Sequence, residues 1–348
     1  MAGILYQSDT WRGNVKSPPN RRAAGSEHGR HEAAGGAGER TGVVIHEVDA
    51  GQDGQRLDNF LLGRLKGAPR SLVYRLLRTG QVRVNGGRAR PDTRLAIGDR
   101  VRLPPVRIAP AGEAAPVPAA MRDRLLAAVI HEDRDLLVLD KPAGIACHGG
   151  SGVSLGVIEA LRAQRGDAYL ELVHRLDRDT SGILVLARSR KALLALQAQL
   201  RSGGAQKRYL ALLAGRLQPS PFRIEAPLRK HVLQGGERMV QVAADGKPSV
   251  STFTVAQRLP GATLAEVLIE TGRTHQIRVH ARHIGHPVAG DEKYGDAEFN
   301  ARMRAIGLRR LFLHAASLRI RGPAGEDLLF HAELPVDLRQ ALDALERH

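Results

Sequence analysis

One short segment of the chain places a charged block between two apolar runs. In residues 172–189, LVHRLDRDTSGILVLARS, the block HRLDRD is followed by the turn-forming TSG and then by the apolar run ILVLA. Enzymes commonly carry reactive groups on loops that rigid strands hold in place, and this segment has that form. The segment therefore predicts a functional loop that leads into a strand.

The charged block contains two carboxylates among three cations, if His174 is counted as charged. Neighbouring positive charges favour the ionised carboxylate, so we expect Asp177 to act as a nucleophile or general base and not as a neutral acid. A salt-bridged turn without a catalytic role explains the same spacing equally well. The block alone leaves both interpretations open.

The rest of the chain predicts two domains behind a leader. Residues 1–42 lack a periodic apolar face, so we expect them to be disordered. Residues 43–104 predict a module of two helices and several short strands, in which LDNFLLGRL carries an apolar stripe and VNGG a turn. The Pro- and Ala-rich residues 105–124 predict a linker. Residues 125–348 predict short strands alternating with a few helices, so the fold class is α+β, a small αβ domain linked to a mixed, mainly antiparallel β-sheet domain.

The net charge of the chain is +16, and arginine supplies most of the excess. The module of residues 43–104 holds 12 of the basic residues against 6 acidic ones. Guanidinium groups spread over one side of such a module match phosphates along a folded RNA backbone, although an ordinary solvated basic surface has the same pattern. The candidate RNA-binding residues are Arg70, Arg75, Arg78, Arg83, Arg88 and Arg90.

Several classes of protein are disfavoured by what the sequence lacks. The single cysteine, Cys147, argues against a disulfide scaffold and a cysteine-built zinc site, and it suits a reducing cytoplasm. No run approaches the roughly 20 apolar residues that cross a bilayer, and no secretion signal is recognisable, so we expect a cytoplasmic protein without a membrane. There is also no phosphate-binding glycine loop, dinucleotide fingerprint or serine-hydrolase elbow.

Residues 268–296 form a second candidate segment. Gly272 breaks a strand, Thr274 can cap a helix, and Arg278 and Arg282 then share one helix face, from which one could clamp an aspartate or a phosphate. The histidines of this segment lack metal-site spacing and stand among arginines, so we expect no metal. They are His275, His280, His283 and His286.

Three passages, HRLDRDTSG (174–182), KRYLAL (207–212) and TGRTHQIRVHARHIGHPVAGDEKYGD (271–296), resemble the RNA pseudouridine synthases of the HRLD type. LDKPAGIACHGG (139–150) and RLFLHAASL (310–318) resemble two further segments of that family. Residues 54–103 resemble the small RNA-binding domain of S-four type, which is appended to several RNA enzymes.

The resemblance implies a role for four residues. Asp177 matches the catalytic aspartate, and Arg278 matches the arginine paired with that carboxylate. Arg175 matches the arginine that enters the RNA stack where the target nucleotide leaves, and Tyr209 matches the tyrosine that packs against the flipped uracil. Without the resemblance, a tyrosine packing at a sheet edge would explain Tyr209 as well.

The implied activity is the isomerisation of specific uridines in 23S ribosomal RNA, or in its assembly precursor, to pseudouridine. It would proceed by base flipping, aspartate-dependent cleavage of the glycosidic bond and re-joining at C5, without cofactor or metal, in a monomer. Two family types with different target uridines act on large-subunit RNA, and LKGAPRSLVYRLLRTGQVRVNGGRARPDTRL (65–95) and GKPS (246–249) favour one of them. The rival class is a non-catalytic RNA-binding or ribosome-assembly factor.

Overall fold

The computed structural model describes residues 42–49, 51–65, 68, 70–106, 117–149, 155–166, 169–217, 221–232 and 238–347. The leader predicted to be disordered lies outside these ranges except for its last residue, as do residues 107–116 of the predicted linker. The chain divides into two compact units, Met1–Ala111 and Gly112–His348. In the described part of the chain, no helix has both the length and the apolar character needed to cross a membrane.

The smaller unit packs two helices against a four-stranded antiparallel sheet with the strand order β1-β4-β2-β3. Its apolar stripe (Leu57, Phe60, Leu61 and Leu65) is buried, as the helical spacing predicts. Asn85 and Gly86 have positive φ angles and form the turn between β2 and β3. The elements are β1 (Val44–Glu47), α1 (Leu57–Arg64), α2 (Arg70–Arg78), β2 (Arg83–Val84), β3 (Gly87–Arg88) and β4 (Arg100–Leu103).

The larger unit is built on a ten-stranded sheet. The main path is β10-β13-β14-β9-β15-β8-β6-β5, with β7 paired to β8 and β16 paired to β15, and β11 and β12 form a separate hairpin. The strands are β5 (Val129–Glu132), β6 (Leu136–Lys141), β7 (Glu171–Leu172), β8 (Ser181–Ala187), β9 (Gln206–Ala214), β10 (Phe222–Glu225), β11 (Leu228–Val232), β12 (Arg238–Val242), β13 (Val250–Leu259), β14 (Ala262–Ile269), β15 (Leu313–Arg321) and β16 (Asp327–His331). The helices are α3 (Ala119–Ala127), α4 (Val157–Arg165), α5 (Arg190–Ser202), α6 (Gln276–His283), α7 (Ala297–Ala305) and α8 (Val336–Glu346).

The architecture confirms the predicted α+β class. The pairing of β8 with β15 is parallel, whereas the other strand pairings recorded for the described residues are antiparallel, which is the mixed, mainly antiparallel sheet that was expected. One boundary differs from the sequence interpretation, because α3 begins at Ala119, inside the predicted linker. Met121 and Leu125 pack that helix on the core of the larger unit, so the last residues of the linker belong to this domain.

The parallel junction between β8 and β15 requires a glycine. Gly182 faces Ala315 in the parallel register and has a φ of +107°. A Cβ at this position would lie 2.7 Å from the carbonyl carbon of Ala315, so no other residue fits without moving the backbone. The loop that precedes β8, residues 173–180, therefore emerges where the two halves of the sheet join.

A buried chain of hydrogen bonds crosses the same junction. The hydroxyl of Ser181 donates to Nδ1 of His314 at 3.0 Å, and Nε2 of His314 donates to the carbonyl oxygen of Ala332 at 3.1 Å. Arg310 donates to the Ser181 hydroxyl oxygen at 3.2 Å. Burial lowers the pKa of His314 to about 4, so the imidazole that links β8, β15 and the start of the chain after β16 is neutral.

This histidine makes the stability of the fold dependent on pH. The unfolded imidazole titrates near pH 6.5 and the folded one near pH 4, so the unfolded state binds more protons between these values. We expect the free energy of unfolding to fall by about 3 kcal/mol on this account as the pH drops from about 6.5 to about 4. Urea unfolding of the wild type and His314→Gln across this range measures the difference in slope. The exposed-residue variant His283→Gln should keep the wild-type slope, and an unchanged slope in His314→Gln would contradict the assignment.

Candidate active site

The loop that carries Asp177 rests on a buried lysine. Lys141 ends β6 and is fully buried, and its ammonium group donates to the carbonyl oxygens of Pro142 at 2.7 Å, Ile145 at 2.9 Å and Arg178 at 3.1 Å. Burial lowers the pKa of Lys141 to about 8. Because three backbone oxygens surround the ammonium group, the lysine ties the loop directly to the chain that follows β6.

A second side chain holds the loop one residue before the aspartate. The thiol of the buried Cys147 donates to the carbonyl oxygen of Leu176, and its sulfur accepts the Leu176 amide, both at 3.2 Å. Burial raises the pKa of this thiol, which keeps it protonated. The lone cysteine is thus a structural support of the loop.

His174 is not the third cation that the charged block could have contained. Its Nε2 accepts a hydrogen bond from the amide of Val185 at 3.2 Å, and burial, with the nearby Lys207 charge, lowers its pKa to about 4. The imidazole is therefore a neutral acceptor that fastens the loop to β8. Only the two arginines of the block remain as cations beside its carboxylates.

Arg278 brings the two predicted segments together. Its Nη1 lies 3.4 Å from Oδ2 of Asp177, while Nε and Nη2 each donate to one carboxylate oxygen of Asp291 at 2.7 Å. Asp291 is completely buried, whereas the Asp177 side chain is 25% exposed. The predicted partner of Asp177 does reach it, but the firm bidentate partner of Arg278 is Asp291.

Asp291 was missed by the sequence interpretation. Its Oδ1 also accepts the backbone amides of Lys293 and Tyr294 at 2.9 Å. Burial alone would raise the pKa of Asp291, but the hydrogen bonds and charge of Arg278 outweigh burial, so the pKa is lowered. The residue stands in the quoted passage GDEKYGD, yet spacing gives no reason to choose this carboxylate among its neighbours.

Tyr209 lies inside the sheet and not at its edge. It is the fourth residue of β9, which runs between β14 and β15, and it is 9% exposed in the same apolar cluster as Leu176. Burial, followed by the nearby charge of Asp177, raises the pKa of Tyr209. The phenol is therefore neutral, and it lies close enough to Asp177 for the carboxylate charge to affect its pKa.

The two other arginines considered for this site are on the surface. Arg175 is exposed, and its Nη1 lies 3.4 Å from Nε2 of His148. Arg282 is exposed on α6, whereas Arg278 on the same helix is buried, so Arg278 alone of this pair faces the carboxylates. The helix also begins differently from the prediction, because its N-cap is His275 and not Thr274.

The basic candidates of the smaller unit lie on its surface. Those whose side chains are described are Arg75, Arg78, Arg83, Arg88 and Arg90. A Cβ at Gly80 would lie 2.9 Å from Nε of Arg88, so the β2–β3 hairpin brings its arginine against the end of α2. The side chain of Arg70 lies outside the described residues.

Two of the histidines weighed as metal ligands, one on each side of the helix end, have other partners. Nδ1 of His280 contacts the Ser251 hydroxyl and its Nε2 contacts the Ala226 carbonyl, both at 3.0 Å, and Nδ1 of His286 contacts the Ala214 carbonyl at 2.7 Å. In the parts of the chain that the structure describes, no three His, Cys, Asp or Glu residues are grouped in a way that could hold a metal ion.

Comparison with known proteins identifies two family models in the sequence. Residues 135–283 match the model described as RNA pseudouridylate synthase, and residues 55–101 match the S4 domain. The chain is 51% identical to the ribosomal large subunit pseudouridine synthase C of Yersinia pestis over 88% of this chain and 97% of that protein. It is 50% identical to the protein of that name from Escherichia coli strain K12 over 88% and 98%, respectively. The two family types that act on large-subunit RNA are called C and D. Both relatives carry the name of type C, which is the type that residues 65–95 and 246–249 favour.

Solved structures share the fold of the larger unit. The human RNA pseudouridylate synthase domain containing 4 protein aligns with a TM-score of 0.55 and 26% identity, covering 65% of this chain and 95% of that chain. The human domain containing 1 protein aligns with a TM-score of 0.50 and 28% identity, covering 60% and 83%. In both cases the structural likeness accompanies a likeness in sequence.

The buried pair of Arg278 and Asp291 predicts a strong coupling in stability. Arg278→Met leaves a buried carboxylate without its counter-charge, which should cost about 3–5 kcal/mol in the free energy of unfolding. Adding Asp291→Leu removes that charge, so the double variant should be more stable than the single one. Arg282→Met on the exposed face of α6 is the control and should change stability by less than about 0.5 kcal/mol. Additive losses in urea unfolding would contradict the pairing.

Proposed function

The chain belongs to the RNA pseudouridylate synthase family, and from this premise we propose that it isomerises specific uridines of large-subunit (23S) ribosomal RNA to pseudouridine. The observation that carries the proposal is the position of the Asp177 carboxylate. It is partly exposed on a loop that Lys141 holds by a hydrogen bond, and it lies 3.4 Å from the buried Arg278, which is paired with Asp291. The names of the relatives, which share half of the sequence over 88% of the chain, support the choice of RNA.

The reaction needs an extruded nucleotide, because a base inside a stack cannot turn. Isomerisation breaks the bond between N1 and C1′, rotates the uracil and re-joins it through C5. Extrusion costs a few kcal/mol, which Arg175 offsets by filling the vacated place in the stack and contacting phosphate. Its exposed position on the loop that carries Asp177 supports this role.

Asp177 carries the chemical step, either by attacking carbon or by abstracting a proton from the sugar. Both routes need an ionised carboxylate, and Nη1 of the Arg278 guanidinium lies 3.4 Å from Oδ2 of Asp177. Tyr209 provides the flat surface against which the extruded uracil packs, and its neutral phenol places a polar group at that surface. The step changes no oxidation state and transfers no group from a donor, so it calls for no cofactor.

The smaller unit contributes binding. Its exposed arginines give it a positive surface suited to RNA phosphates, either in free ribosomal RNA or in an assembling precursor particle. We expect the protein to act as a monomer in the cytoplasm. The rival hypothesis, a non-catalytic assembly factor, uses this surface but gives no reason for the arrangement of Asp177, Arg278 and Tyr209.

The catalytic proposal makes a direct prediction for Asp177. Asp177→Asn removes the negative charge with almost no change in shape, so pseudouridine formation should fall to background while RNA affinity stays within about twofold. Tritium release from C5-labelled uridine in ribosomal RNA measures the first quantity, and filter binding measures the second. Asp179→Asn, two residues away and paired with Arg178, is the matched control and should remain active. Sustained turnover by Asp177→Asn would favour the non-catalytic alternative or a different nucleophile.

The binding proposal predicts a change in salt dependence. Replacing Arg78, Arg83 and Arg88 by glutamine should weaken RNA binding and lower the slope of log affinity against log salt by about 0.7–0.9 for each phosphate that is no longer neutralised. The single-turnover rate at saturating RNA should be unchanged, because these side chains do not form part of the catalytic loop. Arg339→Gln on α8 is the control. An unchanged slope in the triple variant would remove these arginines from the RNA surface.

A further inference from the structure

His275 has a backbone conformation that L-residues rarely adopt. Its φ is +55° and its ψ is +19°, and among the described residues Asn85 is the other non-glycine with positive φ. Asparagine tolerates this left-handed region, whereas for most side chains it costs roughly 1–2 kcal/mol. A conformation of this kind persists where the surroundings determine it, and such residues cluster at functional sites.

The buried Gln276 determines the conformation. Its Oε1 accepts the Thr271 hydroxyl at 2.7 Å and the Arg273 amide at 3.0 Å, while Nε2 donates to the Val250 carbonyl at 2.8 Å and the Ser251 hydroxyl at 2.9 Å. One amide side chain thus folds residues 271–273 over the start of α6 and fastens both to β13. The turn that results leaves the His275 side chain directed toward the active-site loop.

The imidazole of His275 has a defined proton position. Its Nδ1 lies 2.7 Å from the Tyr294 hydroxyl, and that hydroxyl accepts the Val240 amide of the β11–β12 hairpin at 2.9 Å. Of the two polar contacts recorded for this hydroxyl in the described chain, the Val240 amide is itself a donor, so Nδ1 of His275 is the contact that can take the hydroxyl proton. The tyrosine therefore donates to Nδ1, and the neutral ring carries its hydrogen on Nε2.

Nε2 faces the catalytic carboxylate. It lies 3.9 Å from Oδ2 of Asp177, the same oxygen that Arg278 approaches at 3.4 Å. Burial, with the charges of Arg278 and Lys293 opposing those of Asp177 and Asp291, lowers the pKa of His275, in keeping with a neutral ring. Both groups therefore face Oδ2, the guanidinium within hydrogen-bond distance and the imidazole at a longer distance, which leaves Oδ1 for the substrate.

We propose that His275 is a positioning residue of the reaction: as the Nε2–H tautomer set by Tyr294, it acts with Arg278 to hold Oδ2 of Asp177 and so orients Oδ1 toward the extruded nucleotide. This inference rests on the proposed function. It gives Tyr294 a role as well, because its hydroxyl selects the tautomer that can donate to the carboxylate.

Kinetics separate this role from a structural one. His275→Asn keeps a residue that accepts the left-handed backbone but removes the ring. We expect its single-turnover rate at saturating RNA to fall about 10- to 100-fold, with RNA affinity and unfolding unchanged, because small misplacements of a reacting group have costs of this size. Tyr294→Phe should lose less, and the double variant should be no slower than His275→Asn, since both changes interrupt one chain of contacts. A His275→Asn rate within about twofold of wild type, or additive losses, would overturn the proposal.

The tautomer is measured directly by imidazole nitrogen chemical shifts in protein labelled with ¹⁵N-histidine, with the His275 signals assigned by their loss in His275→Asn. We expect the hydrogen on Nε2 in the wild type and a mixture of tautomers in Tyr294→Phe. A wild-type ring protonated on Nδ1 would overturn the proposal. His283→Asn, an exposed position on α6, is the control and should alter neither the rate nor these signals.

The two levels of inference fail differently. Loss of activity in Asp177→Asn together with full activity in His275→Asn would remove the positioning role and leave the proposed function intact. Absence of pseudouridine in the wild-type reaction would remove both, whereas the nitrogen shifts would still report whether Tyr294 sets the tautomer.

Discussion

Arg278 is a buried cation, and the other charged groups of the candidate active site are placed around it. Taking a guanidinium group out of water costs several kcal/mol unless charges and hydrogen bonds replace the lost hydration. Asp291 supplies both through two bonds of 2.7 Å, and the ring of Tyr294 lies 5.0 Å below the guanidinium carbon. The backbone amides bound to Asp291 fix the carboxylate in turn. Asp291 forms the short bidentate ion pair with Arg278. The Nη1 atom of Arg278 therefore faces Asp177 at the longer distance of 3.4 Å.

The sheet explains why Asp177 stands beside this cation. A parallel pair between β8 and β15, made possible by Gly182, places the start of β8 at the centre of the sheet. The loop before it is then tied down by Lys141 and Cys147, two buried groups that use polar atoms to hold backbone. Its outer side carries a partly exposed carboxylate. Buried polar side chains thus hold the backbone of the loop, while its carboxylate side chain remains accessible.

The fold class was predictable from the sequence, and Asp177 was a candidate catalytic residue, for physical reasons that can be named. Apolar runs separated by turn residues predict strands, and an aspartate inside a charged loop stands out by composition. Pairings between distant segments left no such trace: Asp291 is one carboxylate among several, and nothing in the spacing shows that Lys141 is buried. The sequence left the charge of His174 open, because its titration depends on burial, which the sequence does not display. Helix spacing offered Arg278 and Arg282 alike, and the resemblance singled out Arg278 and Tyr209. The left-handed turn at His275 depends on hydrogen bonds of Gln276 that only the fold assembles.

The arginines of the smaller unit and Arg278 differ in their exposure to water. In the smaller unit the guanidinium groups are exposed, and the attraction of such groups to phosphates arises largely from released counterions and is weakened by salt. Arg278 acts inside the protein, where ions do not screen it and its effect on Asp177 depends on distances set by packing. In the proposed function, arginine thus serves RNA binding where it is exposed to water and serves the reaction where it is buried. The net charge of the chain describes the first use, whereas the second becomes visible only when a single buried cation is traced to its partners.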